Sequence, residues 1–329
     1  MAQTTNRRAV LAGLAGLGAL AAGSTRANDV SFDEWLRGFR EEAAQKGIKR
    51  GSLDQTLAGV APIARVLELD RAQPEVRLTF EQYFARVVNR ARIDTGRARV
   101  GENRDLLSRV VQRYPVQPRF IVALWAVETD FGRITGGFNI FAALATLAYD
   151  GRRSQFFRDE LLNAIRIVDR GLAKASDMRG SWAGAMGQSQ FMPSSFLSYA
   201  VDFDGDGRAD IWNSKADVFA SIANYLVRAG WRGDETWGHE ARLPAGFDRA
   251  LVDHNKVAKP VAEWAQLGVR PASASAVVAP AAAASIVQPD GEGGRAFLVY
   301  GNFKVIMRWN RSVNFATSVG LLADSIGEV

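Results

Sequence analysis

The chain contains no cysteine and only two histidines, His239 and His254, among its 329 residues. Without thiols it forms no disulfide and carries no lipid on a cysteine. With the two histidines far apart and no sulfur ligand, a zinc site is not expected either. A membrane span is not expected either. Its N-terminal apolar run, Ala9 to Gly23, is 15 residues long, against the roughly 20 that a spanning helix needs. Strong charge of one sign is missing too, since the formal net charge is only +6.

What does stand at the N-terminus is a positive start, Asn6-Arg7-Arg8, then the apolar run, then Ser24-Thr25-Arg26-Ala27. That order reads as a secretory signal over residues 1–27, and Arg7-Arg8 points to twin-arginine export. An uncleaved anchor is the competing reading. Cleavage would remove three arginines and no acidic residue, so the charge would fall from +6 to +3. A charge that mild excludes nucleic acid as the expected partner and suits an anionic polymer. An exported protein without a lipid anchor is expected in the periplasm.

With 47% apolar residues, a chain of this length can bury a substantial core. Helical spacing predominates from Phe32 to about Leu107, with Trp35, Leu36 and Phe39, and then Phe80, Tyr83, Phe84 and Val87, read as core positions. Further helices are expected over Phe120–Phe131, Leu161–Val168, Val218–Val227 and Asn314–Ile326. The stretch 271–289, rich in Ala, Ser and Pro, reads as a linker or extended loop. Ala296–Tyr300 and Phe303–Trp309 read as two strands around a Gly301-Asn302 hairpin turn.

One carboxylate stands out. Glu128 ends the apolar segment Ala123-Leu124-Trp125-Ala126-Val127. Low polarity there favours the protonated carboxyl, which keeps a proton available near neutral pH. Trp125, one turn earlier, would desolvate it and offer a face to a sugar ring. Such a group suits general-acid attack on a glycosidic oxygen. A buried glutamate paired with Arg133 or Arg153 is the competing reading. Asp130, two positions on, would point to another helix face.

The second motif is Asp202-Phe-Asp204-Gly-Asp206-Gly-Arg208, which alternates carboxylates with a glycine at the sixth position of an EF-hand-type loop. Asn213 stands at the twelfth position instead of glutamate, so Asp210 or Asp217 would complete the shell. An acidic turn without an ion is the alternative.

The segments around Glu128, the block Gly180-Ser-Trp-Ala-Gly-Ala-Met-Gly-Gln-Ser-Gln-Phe-Met-Pro-Ser-Ser195 and the aspartate loop occur in one order. Together with Asp70-Arg-Ala-Gln-Pro-Glu75 and Arg308-Trp-Asn-Arg-Ser312, they resemble the lytic murein transglycosylase B family over the whole mature chain. The resemblance implies a mainly α (α+β) fold. A lysozyme-like helical catalytic domain over 28–240 would include the metal loop 202–217, and a small β-containing C-terminal subdomain would cover 241–329. It implies cleavage of peptidoglycan glycan strands between N-acetylmuramic acid and N-acetylglucosamine, leaving 1,6-anhydro ends, with Glu128 as the catalytic acid and base. One carboxylate then suffices, because the muramic C6 hydroxyl is the nucleophile.

By the same resemblance Arg152, Arg153, Ser181, Gln190, Trp309 and Asn310 bind substrate beside Trp125, with Arg152 and Arg153 holding carboxyl groups. A cap at Ser181 and solvated surface at the arginines remain the plainer alternatives. Asp202, Asp204, Asp206, the Arg208 carbonyl and Asp217 would hold a structural Ca2+ or Na+, and no cofactor is implied for catalysis. Phe156 and Phe315 stand where the family often has tyrosines. The implied protein is a monomer with partners among cell-wall synthesis or division proteins. A hydrolytic muramidase, which needs a second carboxylate such as Asp130 or Asp150, and a non-catalytic wall-binding scaffold are the alternatives.

Overall fold

The computed structural model describes residues 30–72, 78–273 and 279–327. The expected signal, and Gln73 to Glu75 of the upstream motif, lie outside them. Three helices come first: α1 (Phe32–Gln45), α2 (Arg50–Leu57) and α3 (Ala64–Arg71). After them run α4 (Phe80–Val87), α5 (Arg90–Glu102), α6 (Arg104–Arg113) and α7 (Pro118–Thr129). Strand β1 (Phe138–Asn139) leads into α8 (Ile140–Asp150) and α9 (Ser154–Asp169), and β2 (Arg179–Gly180) precedes α10 (Pro193–Tyr199) and α11 (Lys215–Arg228). Then come β3 (Gly238–Arg242), β4 (Lys259–Pro260), α12 (Val261–Gln266), β5 (Arg270–Pro271), β6 (Ala283–Val287) and β7 (Ala296–Val299). Helices α13 (Gly301–Trp309) and α14 (Val313–Ile326) close the chain. Among the described residues, no helix is long and apolar enough to cross a membrane.

The chain divides into two compact units. One contains α1–α3 and residues 128–225; the other contains residues 78–127 and 226–327. The first is built on α8, where every residue from Ile140 to Ala148 is buried. A helix apolar on all sides is a core helix. Its ends are set locally: the Asn139 side chain accepts from the Ala142 N–H, and Gly151 takes the left-handed conformation at φ 88° that stops it. Helix α1 starts at a capping box, with Ser31 and Glu34 each accepting from the other's backbone. The start of α2 is capped from a distance. Asp169 accepts from the Lys49 N–H and the Ser52 hydroxyl, and those bonds hold its carboxyl below the usual aspartate range. The core reading of the early aromatics holds at Phe39, which is fully buried and stacks on half-buried Trp35.

The other unit carries an antiparallel sheet in the order β4-β6-β7-β3-β5. Two expectations are corrected here. The 271–289 stretch is not all linker, because Ala284 to Val287 are buried within β6, which pairs with β4 and β7. Small residues disguised a central strand. Nor is there a hairpin at Gly301-Asn302: Ala296–Val299 is a strand, but Gly301–Trp309 is helix α13. Its buried positions, Asn302, Phe303, Val305 and Ile306, fit a helix face rather than an alternating strand. The Asn302 amide donates to the carbonyls of Arg232 and Glu235, so it anchors a loop instead of making a turn. Alongside, Trp237 is fully buried, donates its indole N–H to Asp324 at 2.8 Å and lies directly on Gly320.

Candidate active site

Helix α7 is buried without interruption from Phe120 to Val127, and Glu128, in its last turn, is half-buried. The helix ends one residue later than Glu128, at Thr129, instead of running to Phe131 as expected. Asp130 (φ 52°), Phe131 (φ 60°) and Gly132 (φ 80°) all take left-handed conformations. Two of these are not glycines, and such backbone strain persists only where the surroundings impose it. What imposes it is visible. Buried Thr129 donates its hydroxyl to the Gln188 carbonyl at 2.9 Å and accepts from the Gly132 N–H at 3.0 Å. Gln190, also left-handed at φ 50°, donates its amide to the carbonyls of Thr135 and Gly187. Gln188 in turn donates to the Trp212 carbonyl at 2.7 Å. The turn after the glutamate is thus tied to the block 180–191 at two points.

That block is a tight loop. The Ser181 N–H donates to the Ala185 carbonyl at 2.8 Å, and the Ser181 hydroxyl accepts from the Ala185 N–H at 3.0 Å. Ser181 therefore caps a turn, which leaves its own hydroxyl proton available to another acceptor. Strand β2 pairs Gly180 with Phe138 of β1.

The structure places the expected site residues unevenly. Glu128, Arg152, Arg153, Ser181, Gln190 and the aspartate loop share one unit, whereas Trp125, Trp309 and Asn310 fall in the other. Trp125 is 1% exposed, so it lends apolar bulk but has no face open to a sugar. Trp309 is half-buried, and the Asn310 side chain accepts from the Ser312 N–H at 3.0 Å. Phe156 is 45% exposed and Phe315 is buried. Arg133 forms an ion pair with Asp130. Arg153 pairs with Asp70 at 2.5 Å, and Arg152 reaches the same carboxylate at 3.3 Å. Asp150 is paired with Arg71 at 2.9 Å.

Buried Glu160 accepts from both the N–H and the hydroxyl of Ser194, at 2.8 and 2.5 Å. Burial pushes its carboxyl up despite those bonds. Sequence reading passed over Thr129, Gln188, Glu160 and the partnering of Asp70. The signals were faint ones: a Gln-Ser-Gln triplet in a glycine-rich loop, and a lone glutamate in an otherwise amphipathic helix.

In the aspartate loop, carboxylate oxygens of Asp202, Asp204 and Asp217 lie within 4.8 Å of one another. Asp217, in the first turn of α11, is fully buried. It accepts from the backbone N–H groups of Phe203 and Asp210 at 2.8 and 2.7 Å, and burial raises its carboxyl above the usual range. Asp217, not Asp210, thus joins the group; Asp210 turns to the Trp212 and Asn213 N–H groups instead. Asp206 stands outside the group and accepts from the Arg208 N–H at 2.9 Å. No ion pair among the described residues reaches the three carboxylates.

Comparison with known proteins now decides the family. The model of the transglycosylase SLT domain matches residues 31–324. The chain belongs to the lytic murein transglycosylase B family. It is 35% identical over 229 residues to the membrane-bound lytic murein transglycosylase B of Escherichia coli K12, covering 68% of this chain. The match spans only 60% of that relative's length. Within the family, the structure resembles SltB3 of Pseudomonas aeruginosa in complex with NAG-anhNAM-pentapeptide, at a TM-score of 0.86 and 43% identity over 90% of this chain and 79% of that one. It also resembles the lytic transglycosylase Slt35 of Escherichia coli in complex with calcium, at a TM-score of 0.75 and 29% identity over 88% and 92% of the two chains. The lysozyme-like, mainly helical fold with a small sheet is the family's fold.

Proposed function

We propose that this protein is a lytic transglycosylase that cleaves the β-1,4 bond between N-acetylmuramic acid and N-acetylglucosamine in peptidoglycan. The observation that carries this reading is Glu128: a half-buried carboxylate ending an apolar helix, on a turn held by strained residues and bonded to the glycine-rich loop. In the first step the Glu128 carboxyl gives its proton to the glycosidic oxygen as the bond from that oxygen to muramic C1 breaks. In the second, the Glu128 carboxylate takes the proton of the C6 hydroxyl, whose oxygen bonds to C1. The products are a free 4-hydroxyl and a 1,6-anhydro end; no water is consumed and Glu128 regains its proton. The other carboxylates weighed as a hydrolase's second group are engaged, Asp130 by Arg133 and Asp150 by Arg71. A single-carboxylate mechanism fits that arrangement.

Domains at 28–240 and 241–329, and substrate contacts from Arg152, Arg153, Ser181, Gln190, Trp309 and Asn310, belong to the same proposal. The substrate lies outside the cytoplasmic membrane, so the proposal also requires export to the periplasm. Mass spectrometry of peptidoglycan sacculi incubated with residues 28–329 tests it. The expected products are muropeptides one water lighter than hydrolysis products; reducing ends would point to a muramidase, and intact sacculi to a binding scaffold.

A structural cation completes the reading. Three converging carboxylates, one fully buried and none neutralised by an ion pair among the described residues, suit a hard cation with oxygen ligands such as Ca2+. Asp202, Asp204 and Asp217 would hold it, with Asp206 and the Arg208 carbonyl as further candidates. Its role is to fix the loop between α10 and α11, and no step of the reaction passes through it. Calcium at a hundredfold excess over its Kd should stabilise the fold by about 2.7 kcal/mol. Thermal unfolding with calcium and with chelator measures this, and Asp217→Asn should abolish the difference; an equal response in the variant would refute the site.

A further inference from the structure

The structure places a buried acid behind the two exposed arginines. Asp70, in the last turn of α3, is 3% exposed. Its two oxygens are divided: one meets Arg153 at 2.5 Å, the other Arg152 at 3.3 Å. The arginines are consecutive residues following Gly151, the residue that ends α8, and their side chains remain 47% and 38% exposed. The Arg153 guanidinium also sits over the Phe157 ring, 4.9 Å from its centre. Next to Asp70, Arg71 pairs with Asp150 at 2.9 Å. Three arginines thus face two aspartates, and the cluster keeps one positive charge.

We propose that Asp70 is a positioning residue that holds Arg152 and Arg153 together as a receptor for a substrate carboxylate. Two neighbouring guanidiniums repel each other, and left alone they would splay into solvent on long flexible stems. A buried carboxylate that gives one oxygen to each removes that repulsion and fixes their spacing at the width of a carboxylate. Each guanidinium has five N–H donors, and the contact with Asp70 engages one nitrogen of each. The exposed edges can therefore present paired donors to a second carboxylate, in the geometry that arginine recognises best. The residual positive charge makes that second anion welcome.

This inference rests on the proposed function, which supplies the ligand. A glycan strand carries carboxylates either on its stem peptides or, where the peptide is removed, on the lactyl groups of muramic acid.

The test is kinetic, on peptide-bearing strands and on strands stripped of peptide by an amidase. Asp70→Asn should raise KM about tenfold on the strands that carry the recognised carboxylate, with kcat within about twofold. A KM effect confined to peptide-bearing strands assigns the stem peptide; one on stripped strands assigns the lactyl group. In a chain already changed at both arginines to glutamine, Asp70→Asn should add nothing to KM, whereas a merely structural aspartate would add its cost again. An unchanged KM in Asp70→Asn, or an additive effect, overturns the proposal.

Should Asp70→Asn fail to fold, the single arginine variants decide. With Asp70 in place, either Arg152→Gln or Arg153→Gln should raise KM nearly as much as both together, because the aspartate then cancels the charge that remains. Additive losses would overturn the pairing. A doubly substituted arginine variant with normal KM on both substrates would instead show that the arginines bind no substrate, while activity of the parent protein keeps the transglycosylase reading separate.

Discussion

Glu128→Gln should lower the rate of sacculus cleavage by about a thousandfold, within the roughly hundred- to ten-thousandfold that a positioned acid and base contribute. The amide has the same shape as the carboxyl but no proton to give and no basic oxygen to take one back. In the proposed cycle Glu128 serves in both steps, so no second group compensates. The fold should survive. The packing of α7 comes from Phe120 to Val127, all buried, and Thr129 and Gln190 hold the turn beyond. Release of soluble muropeptides, read together with the thermal midpoint, measures both halves. Activity retained by a folded variant would remove Glu128 from the mechanism.

Gly136→Ala should be the most damaging small change near the site. Gly136 is left-handed at φ 89°, and a Cβ there would overlap the Gly180 carbonyl and stand 2.6 Å from the Ser181 N. Forcing alanine into that conformation costs about 1–2 kcal/mol, and overpacking against fixed backbone adds about 1–3 kcal/mol. A loss of roughly 3 kcal/mol should lower the thermal midpoint by several degrees. It should also impair cleavage, because the same crossing carries the β1–β2 pair and lies beside the Gln190 bond to Thr135. Gly137→Ala is the internal control. A Cβ at Gly137 meets nothing within 4 Å, and its φ is not positive. If the two alanines destabilise alike, the close crossing of Gly136 and Gly180 is wrong.

Where local rules decide, sequence reading went far. The apolar spacing around Phe120 marked α7, and the Gly180–Ser195 block carried the family resemblance. The failures share a cause. Gly301-Asn302 imitates a hairpin turn locally, but Asn302 spends its side chain on Arg232 and Glu235, more than sixty residues away. The 271–289 stretch is dominated by Ala, Ser and Pro, which hides the short strand ending in Ile286 and Val287, yet Ala284 and Ser285 are buried by the strands beside them. Distant partners overrode local propensity in both places.

The sequence by itself determined the local features on which the proposed chemistry rests: one carboxylate at the end of an apolar helix, a run of alternating aspartates, and caps such as Ser31 and Asn139 that set helix starts. These depend on residues a few positions apart, where periodicity and hydrogen-bonding reach act directly. Only the tertiary structure decided that Trp125 is walled in, that Asp217 rather than Asp206 joins Asp202 and Asp204, and that Asp70 stands behind Arg152 and Arg153. Those outcomes turn on burial and on which distant side chains meet, and no local pattern encodes the distance between residues eighty positions apart.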